Sequence, residues 1–319
     1  MINFKATPDR QVSNEISKDV TNKLINSLSS LIDYWADTKH YIITDQAKVN
    51  IHNLSFKSNN FWLFSAFNRR LYEITLSEKS NKIKPYIDFL PTLNTSKAQE
   101  HTIVDFCKLS RFQQCLFSKY ATEGYPDPQV FQATDGIEFK HTQKCIIEAL
   151  EIIRECLPQF FYEIKNYINT FVLFSSQTMS SGSSSHLLKC IYIQTFKDNS
   201  LTSLLRILDR IIHETAHMHL HLLSMYDPLV LNSVNEKFTS PFRKDPRPMI
   251  GVFHAYFVLF RLILVMRDKN FRAVFKNEIG EVDDMLRRYE NAYQYSYKVV
   301  LEGANFTKLG KRLFDGTFL

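Results

Sequence analysis

"KDNSLTSLLRILDRIIHETAHMHLHLLSMYD", residues 197–227, decides how the rest of the chain is read. Apolar residues recur through it at three- and four-residue intervals, which predicts one long helix. Asp198, Asn199 and Ser200 are cap candidates at its start. Asp227-Pro228 closes it, because the residue before a proline is pushed out of helical geometry. Inside the helix, His213, Glu214 and His217 spell H-E-x-x-H. Residues four apart share a helix face, so His213 and His217 project together toward one metal ion, with Glu214 beside the first of them. His221 prolongs that stripe and His219 points elsewhere. One straight helix rarely supplies three ligands to one ion, so both are expected in supporting or structural roles.

The flanking segments set the fold class. "TFVLFS" (170–175) is short, β-branched and aromatic and reads as a strand, "SSQTMSSGSSSH" (175–186) as a polar loop, and "KCIYIQTF" (189–196) as a second strand. Two strands followed by the histidine helix is a layout in which an edge strand, here 189–194, can hold an extended peptide beside a metal. Upstream, helical spacing covers 13–37, 61–76, 102–121 and 142–168, with Pro158 kinking or dividing the last. Downstream, a loop over 240–251 leads to helices at 248–267 and 276–301. The expected fold is mainly α with a small β-sheet (α+β). It has a zincin-like core, an edge strand beside the H-E-x-x-H helix, preceded by a helical N-terminal half. We expect one catalytic domain over 1–319, with a helical part (1–168) and a metal-binding part (169–319).

Composition narrows the function classes. With 45% hydrophobic residues, 8 Gly and 10 Pro, the 319-residue chain is neither disordered nor a loop-rich β protein. Lys and Arg number 39 against 33 Asp and Glu, a net charge of +6 that is scattered along the chain. That pattern is no nucleic-acid footprint and hints at most at an acidic partner. The five cysteines, 107, 115, 145, 156 and 190, form no C-x-x-C pair and suit free thiols in a reducing compartment. The opening residues lack the apolar core of a signal peptide, and "MIGVFHAYFVLFRLILVM" (249–266) is interrupted by His254 and Arg261. A cytoplasmic protein without a membrane span is expected.

A third ligand must come from outside the helix. The metzincin extension fails, since Leu220 and Leu223 stand where its Gly and His belong. Glu236 would serve a gluzincin-type zinc peptidase, and His254 is the other candidate. Between them, Arg243 and Arg247 flank Asp245 in a segment stiffened by Pro241, Pro246 and Pro248. A guanidinium is a natural clamp for a carboxylate, and a local Arg–Asp bridge on a surface loop is the plainer reading.

"HETAH" (213–217) followed by "PFRKDPRPMIGVFHAYF" (241–257) resembles the bacterial H-E-x-x-H family of 2-oxoglutarate-dependent β-hydroxylases that act on ribosomally made peptides. The matching positions are His213, Glu214, His217, Pro241, Phe242, Arg243, Asp245, Pro246, Arg247, Pro248, Gly251 and His254. The similarity spans roughly residues 165–270, and the Ser-rich stretch 180–186, His219 and His221 depart from it. The resemblance implies Fe(II) held by His213, His217 and His254. It implies 2-oxoglutarate with its distal carboxylate on Arg247, or second on Arg243, and Glu214 as a neighbour that orients a ligand or co-substrate. Hydroxylation would fall on the β-carbon of a residue, Asp by analogy, in a precursor peptide. The alternatives are a zinc metallopeptidase with Glu214 as general base, and a non-catalytic peptide carrier with a structural zinc.

Overall fold

Proline chemistry divides the helical stretch 142–168 as expected. One helix ends at Cys156 and the next opens on Pro158, a position where the missing N–H is not needed. The computed structural model describes residues 2–39, 41–55, 57–77, 82–93, 101–123, 130–196, 201–241 and 243–317. In chain order these form α1 (Arg10–Lys39), α2 (Asp45–His52), α3 (Phe61–Leu76), α4 (Lys84–Phe89), β1 (Thr102–Asp105) and α5 (Arg111–Ala121). Then come α6 (Gly136–Cys156), α7 (Pro158–Tyr167), β2 (Thr170–Phe174), β3 (Ser181–Ser183), β4 (Cys190–Gln194) and α8 (Leu201–Leu223). The chain closes with β5 (Lys237–Ser240), β6 (Arg243–Pro248), α9 (Met249–Arg267), α10 (Lys269–Val274), α11 (Ile279–Gly303) and α12 (Lys308–Asp315). The protein is mainly helical with a small mixed sheet. Asp198, Asn199 and Ser200, the cap candidates of α8, lie outside the described residues.

The chain separates into two compact units, one of residues 14–139 and 165–195, the other of 1–13, 140–164 and 196–319. The first holds the sheet, in the order β1-β2-β4-β3, with β1, β2 and β4 parallel and β3 antiparallel to β4. Every residue of β2 is buried, as are Cys190 to Ile193 of β4. Continuous apolar runs are what strands covered on both faces require.

Three expectations are corrected here. Residues 102–105 are a strand and not the start of a helix. Their Thr-Ile-Val run is β-branched and pairs with β2 in the register Thr102↔Thr170. The Ser-rich segment is not all loop, because Ser181 to Ser183 folds back onto β4 with Gly182 opposite Tyr192. A Cβ on Gly182 would come within 2.3–2.7 Å of the Tyr192 ring, so only glycine lets this strand pass. As a result β4 is paired on both sides and is no edge strand; β3 takes that place. The extended peptide expected on 189–194 has no ladder there to join.

Lys189 precedes β4 with a φ of 64° and is fully buried. Its ammonium donates to Ser17 Oγ and to the Asn166 carbonyl, and burial pushes its pKa well below the usual lysine range. His101, just before β1, is hydrogen-bonded through Nδ1 to the Ile168 carbonyl at 2.9 Å and rests edge-on against Phe171. Burial lowers it to about 4.

In the second unit α9 packs against α8 and α11. Among the described residues α9 is the one helix long and apolar enough to cross a membrane, and it is mostly buried within this unit. Being apolar all round is what a core helix needs. Its one charge before the last turn, Arg261, is 1% exposed and pairs with Glu163, also 1% exposed, while its Nε donates to the Ala6 carbonyl at 3.0 Å. Burial pushes the Glu163 carboxyl up, and Arg261 opposes that shift. Half of the segment expected as a loop over 240–251 is strand β6, paired antiparallel with β5 in the register Phe238↔Arg247. Prolines 246 and 248 are tolerated because a two-stranded ribbon leaves alternate N–H groups unused.

Two predictions follow from these buried groups. Glu163→Gln leaves the guanidinium without its counter-charge and should cost about 3–5 kcal/mol in urea unfolding. A double replacement, Glu163→Leu with Arg261→Met, should recover most of that loss. A cost for Glu163→Gln below about 1 kcal/mol would show the pair to be solvated. For His101 the folded pKa lies below the unfolded value of about 6.5, so the unfolded chain binds the extra proton. Stability should fall as pH drops from about 6.5 toward about 4. His101→Gln should flatten that slope, read from denaturant midpoints across the range.

Candidate metal centre

Along the second half of α8, His213, His217 and His221 are partly accessible, while Glu214, Thr215, Ala216, Met218, His219, Leu220, Leu222 and Leu223 are buried. The four-residue spacing therefore sets three imidazoles in one accessible stripe, the arrangement that helix geometry dictates. Ring centroids of His213 and His217 are 5.0 Å apart, and those of His217 and His221 are 6.3 Å apart. From α9, His254 meets this stripe with its ring 5.4 Å from His217 and 5.3 Å from His221.

Nδ1 of His217 and Nδ1 of His254 are 3.2 Å apart. Two nitrogens each about 2.0–2.1 Å from a tetrahedral ion are themselves about 3.3 Å apart, so this pair already has the spacing of two ligands of one ion. Burial, reinforced by His213, His254 and His221, holds His217 well below the usual imidazole range, and burial lowers His254 to about 4. Both rings are thus neutral near pH 7, the form that ligates. The fit is partial: among the described residues, no three His, Cys, Asp or Glu side chains converge as a finished metal site. The donor chemistry suits a metal and the hydrogen-bonded His217–His254 pair has a compatible spacing, but the described side chains do not complete a ligand set.

Glu214, 4% exposed, adds its charge to that of Asp209 in supporting the Arg210 guanidinium, which burial depresses. Glu236 is exposed in the turn before β5, where Asn232 Nδ2 donates to it at 3.1 Å. The Arg247 side chain is partly accessible and lies along the first turn of α9, its Cβ 3.6 Å from where a Cβ on Gly251 would stand. Phe242 and the Arg243 side chain lie outside the described residues. His219 belongs to a different environment. It is 2% exposed, stacks on Phe257 with a 3° interplanar angle, and approaches Glu163 at 3.8 Å.

Sequence reading missed Asp209. One turn before His213, it accepts a hydrogen bond from Tyr289 Oη of α11 at 2.6 Å. Desolvation raises its carboxyl, against the pull of Tyr289, His213, Arg210 and Arg288. The charge of His213 acts on Asp209 from one turn away, and a carboxylate in that position could fix the ring of a metal-bound histidine and raise its basicity. The i, i+4 spacing of Asp209 and His213 was visible in the sequence; its anchoring by a tyrosine eighty residues on was not.

If His213 binds a metal, Asp209→Asn should weaken metal affinity about 10–100-fold, the usual effect of losing such a supporting carboxylate. Competition with a chromogenic chelator measures it, and unchanged affinity would leave Asp209 a purely structural group. Comparison with protein-family models and with curated proteins finds no match to this chain.

Proposed function

We propose that the protein is a non-haem Fe(II)- and 2-oxoglutarate-dependent hydroxylase acting on the β-carbon of a residue such as Asp in a ribosomally synthesised peptide. The observation that carries this reading is the partner of His217: it is His254, at 3.2 Å, while Glu236 is exposed and paired with Asn232. An all-imidazole face drawn from α8 and α9 suits an oxygenase, which keeps positions open for co-substrate and O2. A gluzincin-type peptidase would need Glu236 at the metal.

In this reading His213, His217 and His254 hold the iron, with Asp209 keeping His213 oriented. Arg247, or in second place Arg243, receives the distal carboxylate of 2-oxoglutarate. Glu214 orients a ligand or the co-substrate from beneath the stripe. Iron with 2-oxoglutarate and O2 would supply the oxidant that removes a hydrogen atom from the peptide carbon and returns a hydroxyl group. The reading includes the zincin-like core expected from the sequence. A cytoplasmic location, where a precursor peptide is made, belongs to the same proposal.

The test is an anaerobic Fe(II) titration followed by addition of 2-oxoglutarate, precursor peptide and air. The expected result is succinate release together with a peptide heavier by one oxygen atom. His254→Ala should abolish both and weaken Fe(II) binding, whereas Glu236→Ala should change neither. Peptide cleavage that needs zinc, ignores O2, and disappears in both Glu214→Gln and Glu236→Ala would assign the site to a zinc metallopeptidase instead.

A further inference from the structure

The unit that contains the sheet carries a second feature that the metal reading does not use. Between α3, α4 and α5 lies an open cavity of about 530 Å³, lined by Arg70, Arg111 and Lys119 together with Tyr86, Phe112 and Cys115. Its apolar wall is a continuous aromatic cluster. Phe112 meets Phe89 at 4.6 Å and Tyr86 at 5.2 Å, and Phe67 stacks on Phe89 at 5.8 Å. Arg70 lies over the Tyr86 ring at 5.6 Å with its Nε on the Tyr86 hydroxyl at 3.1 Å. That fixes one guanidinium against the aromatic wall.

Among the described residues the charges do not balance. Glu73 accepts from Arg70 at 3.1 Å and from Lys119 at 2.7 Å, and Arg69 also reaches it at 3.1 Å. No described acidic side chain pairs with Arg111. Arg111 is exposed at the first position of α5, where the Ser110–Gln113 capping box closes the helix start and the helix dipole is positive. Among the described residues, three lining cations against one shared carboxylate leave an excess of positive charge beside an aromatic face.

We propose that this cavity is a docking site for an acidic peptide segment in which a Glu or Asp lies next to an aromatic or large aliphatic residue. The carboxylate is taken by Arg111 and Lys119 as a charge-assisted pair, and the neighbouring apolar side chain lies on Phe112 and Tyr86. A free small molecule suits the cavity less well. Small-molecule sites enclose most of their ligand, but here Arg111, Cys115 and Lys119 are all exposed, so an occupant is held from one side with its chain free to continue. The proposal stands on this cavity alone and does not depend on the metal centre.

Cys115 makes the test direct. It is exposed in the cavity wall, and Cys107, also exposed, is outside it and serves as an internal control. The full-length protein, with chelator present, is alkylated with N-ethylmaleimide, and each cysteine is followed by peptide mass spectrometry. The probe is acetyl-Ala-Glu-Phe-Glu-Leu-amide at millimolar concentration. It should slow modification of Cys115 about tenfold, as one well-formed charge-assisted contact allows, and leave Cys107 unchanged. The probe with Gln in place of Glu should give no protection, and added salt should weaken the protection by the acidic probe. Arg111→Glu, an exposed change whose folding is checked by thermal melting, should abolish it. The proposal is overturned by equal rates at Cys115 with and without peptide, or by equal protection from the Gln peptide. Equal protection from inorganic phosphate or phenylpropionate overturns it too, since the cavity would then be a small-anion site.

Discussion

A guanidinium buried in the middle of an apolar helix has to be neutralised where it stands, and that requirement organises the histidine-bearing unit. Arg261 is met by Glu163 and by the carbonyl of Ala6, so one charge ties α7 and the N-terminal residues to α9. A buried pair of this kind adds little net stability over an apolar replacement, but it is costly to break, and it therefore fixes register more than it strengthens the fold. With α9 held, Phe257 lies flat beneath His219, and His254, one turn earlier, comes beside His217 and His221.

The seam between α8 and α9 thus has two imidazole sides of opposite character. On the dry side, His219 is enclosed with Phe257, Glu163 and Arg261. On the accessible side, His213, His217, His221 and His254 face one another with one nitrogen pair at ligand spacing. The histidine run 213–221 spans both sides, and only its helical phase decides which histidine falls where. This is why the motif's second histidine has a partner across the helix pair and His219, two residues later, has none of that chemistry.

The elements legible in the sequence are those whose signal is local. α8, α9, α11 and the break at Pro158 follow from periodicity and proline geometry, and the stripe of His213, His217 and His221 follows from spacing alone. What stayed hidden depends on residues far away in the chain. Thr102 to Asp105 has apolar spacing that also suits a helix, and only the parallel partner β2 makes it a strand. Ser181 to Ser183 has almost no apolar content; its pairing depends on Gly182 passing over Tyr192. The loop expected over 240–251 became a ribbon because β5 supplies its ladder. In the candidate site, His254 could be singled out from sequence as a possible third ligand, but its approach to His217 is a tertiary fact, as is Tyr289 holding Asp209.

The ribbon has a consequence for recognition. Arg247 lies between Pro246 and Pro248 on β6, and Phe238 is paired opposite it. A residue that precedes a proline is confined to extended backbone, and the proline before it fixes the chain's entry. Strand pairing removes most of the freedom that remains. The backbone entropy of this arginine is therefore lost when the ribbon folds, not when an anion arrives, and only side-chain torsions are left to order on binding. If Arg247 receives the co-substrate carboxylate as proposed, that anion would meet a cation whose Cα is already in place, and selectivity would depend on the reach of one guanidinium from a fixed point.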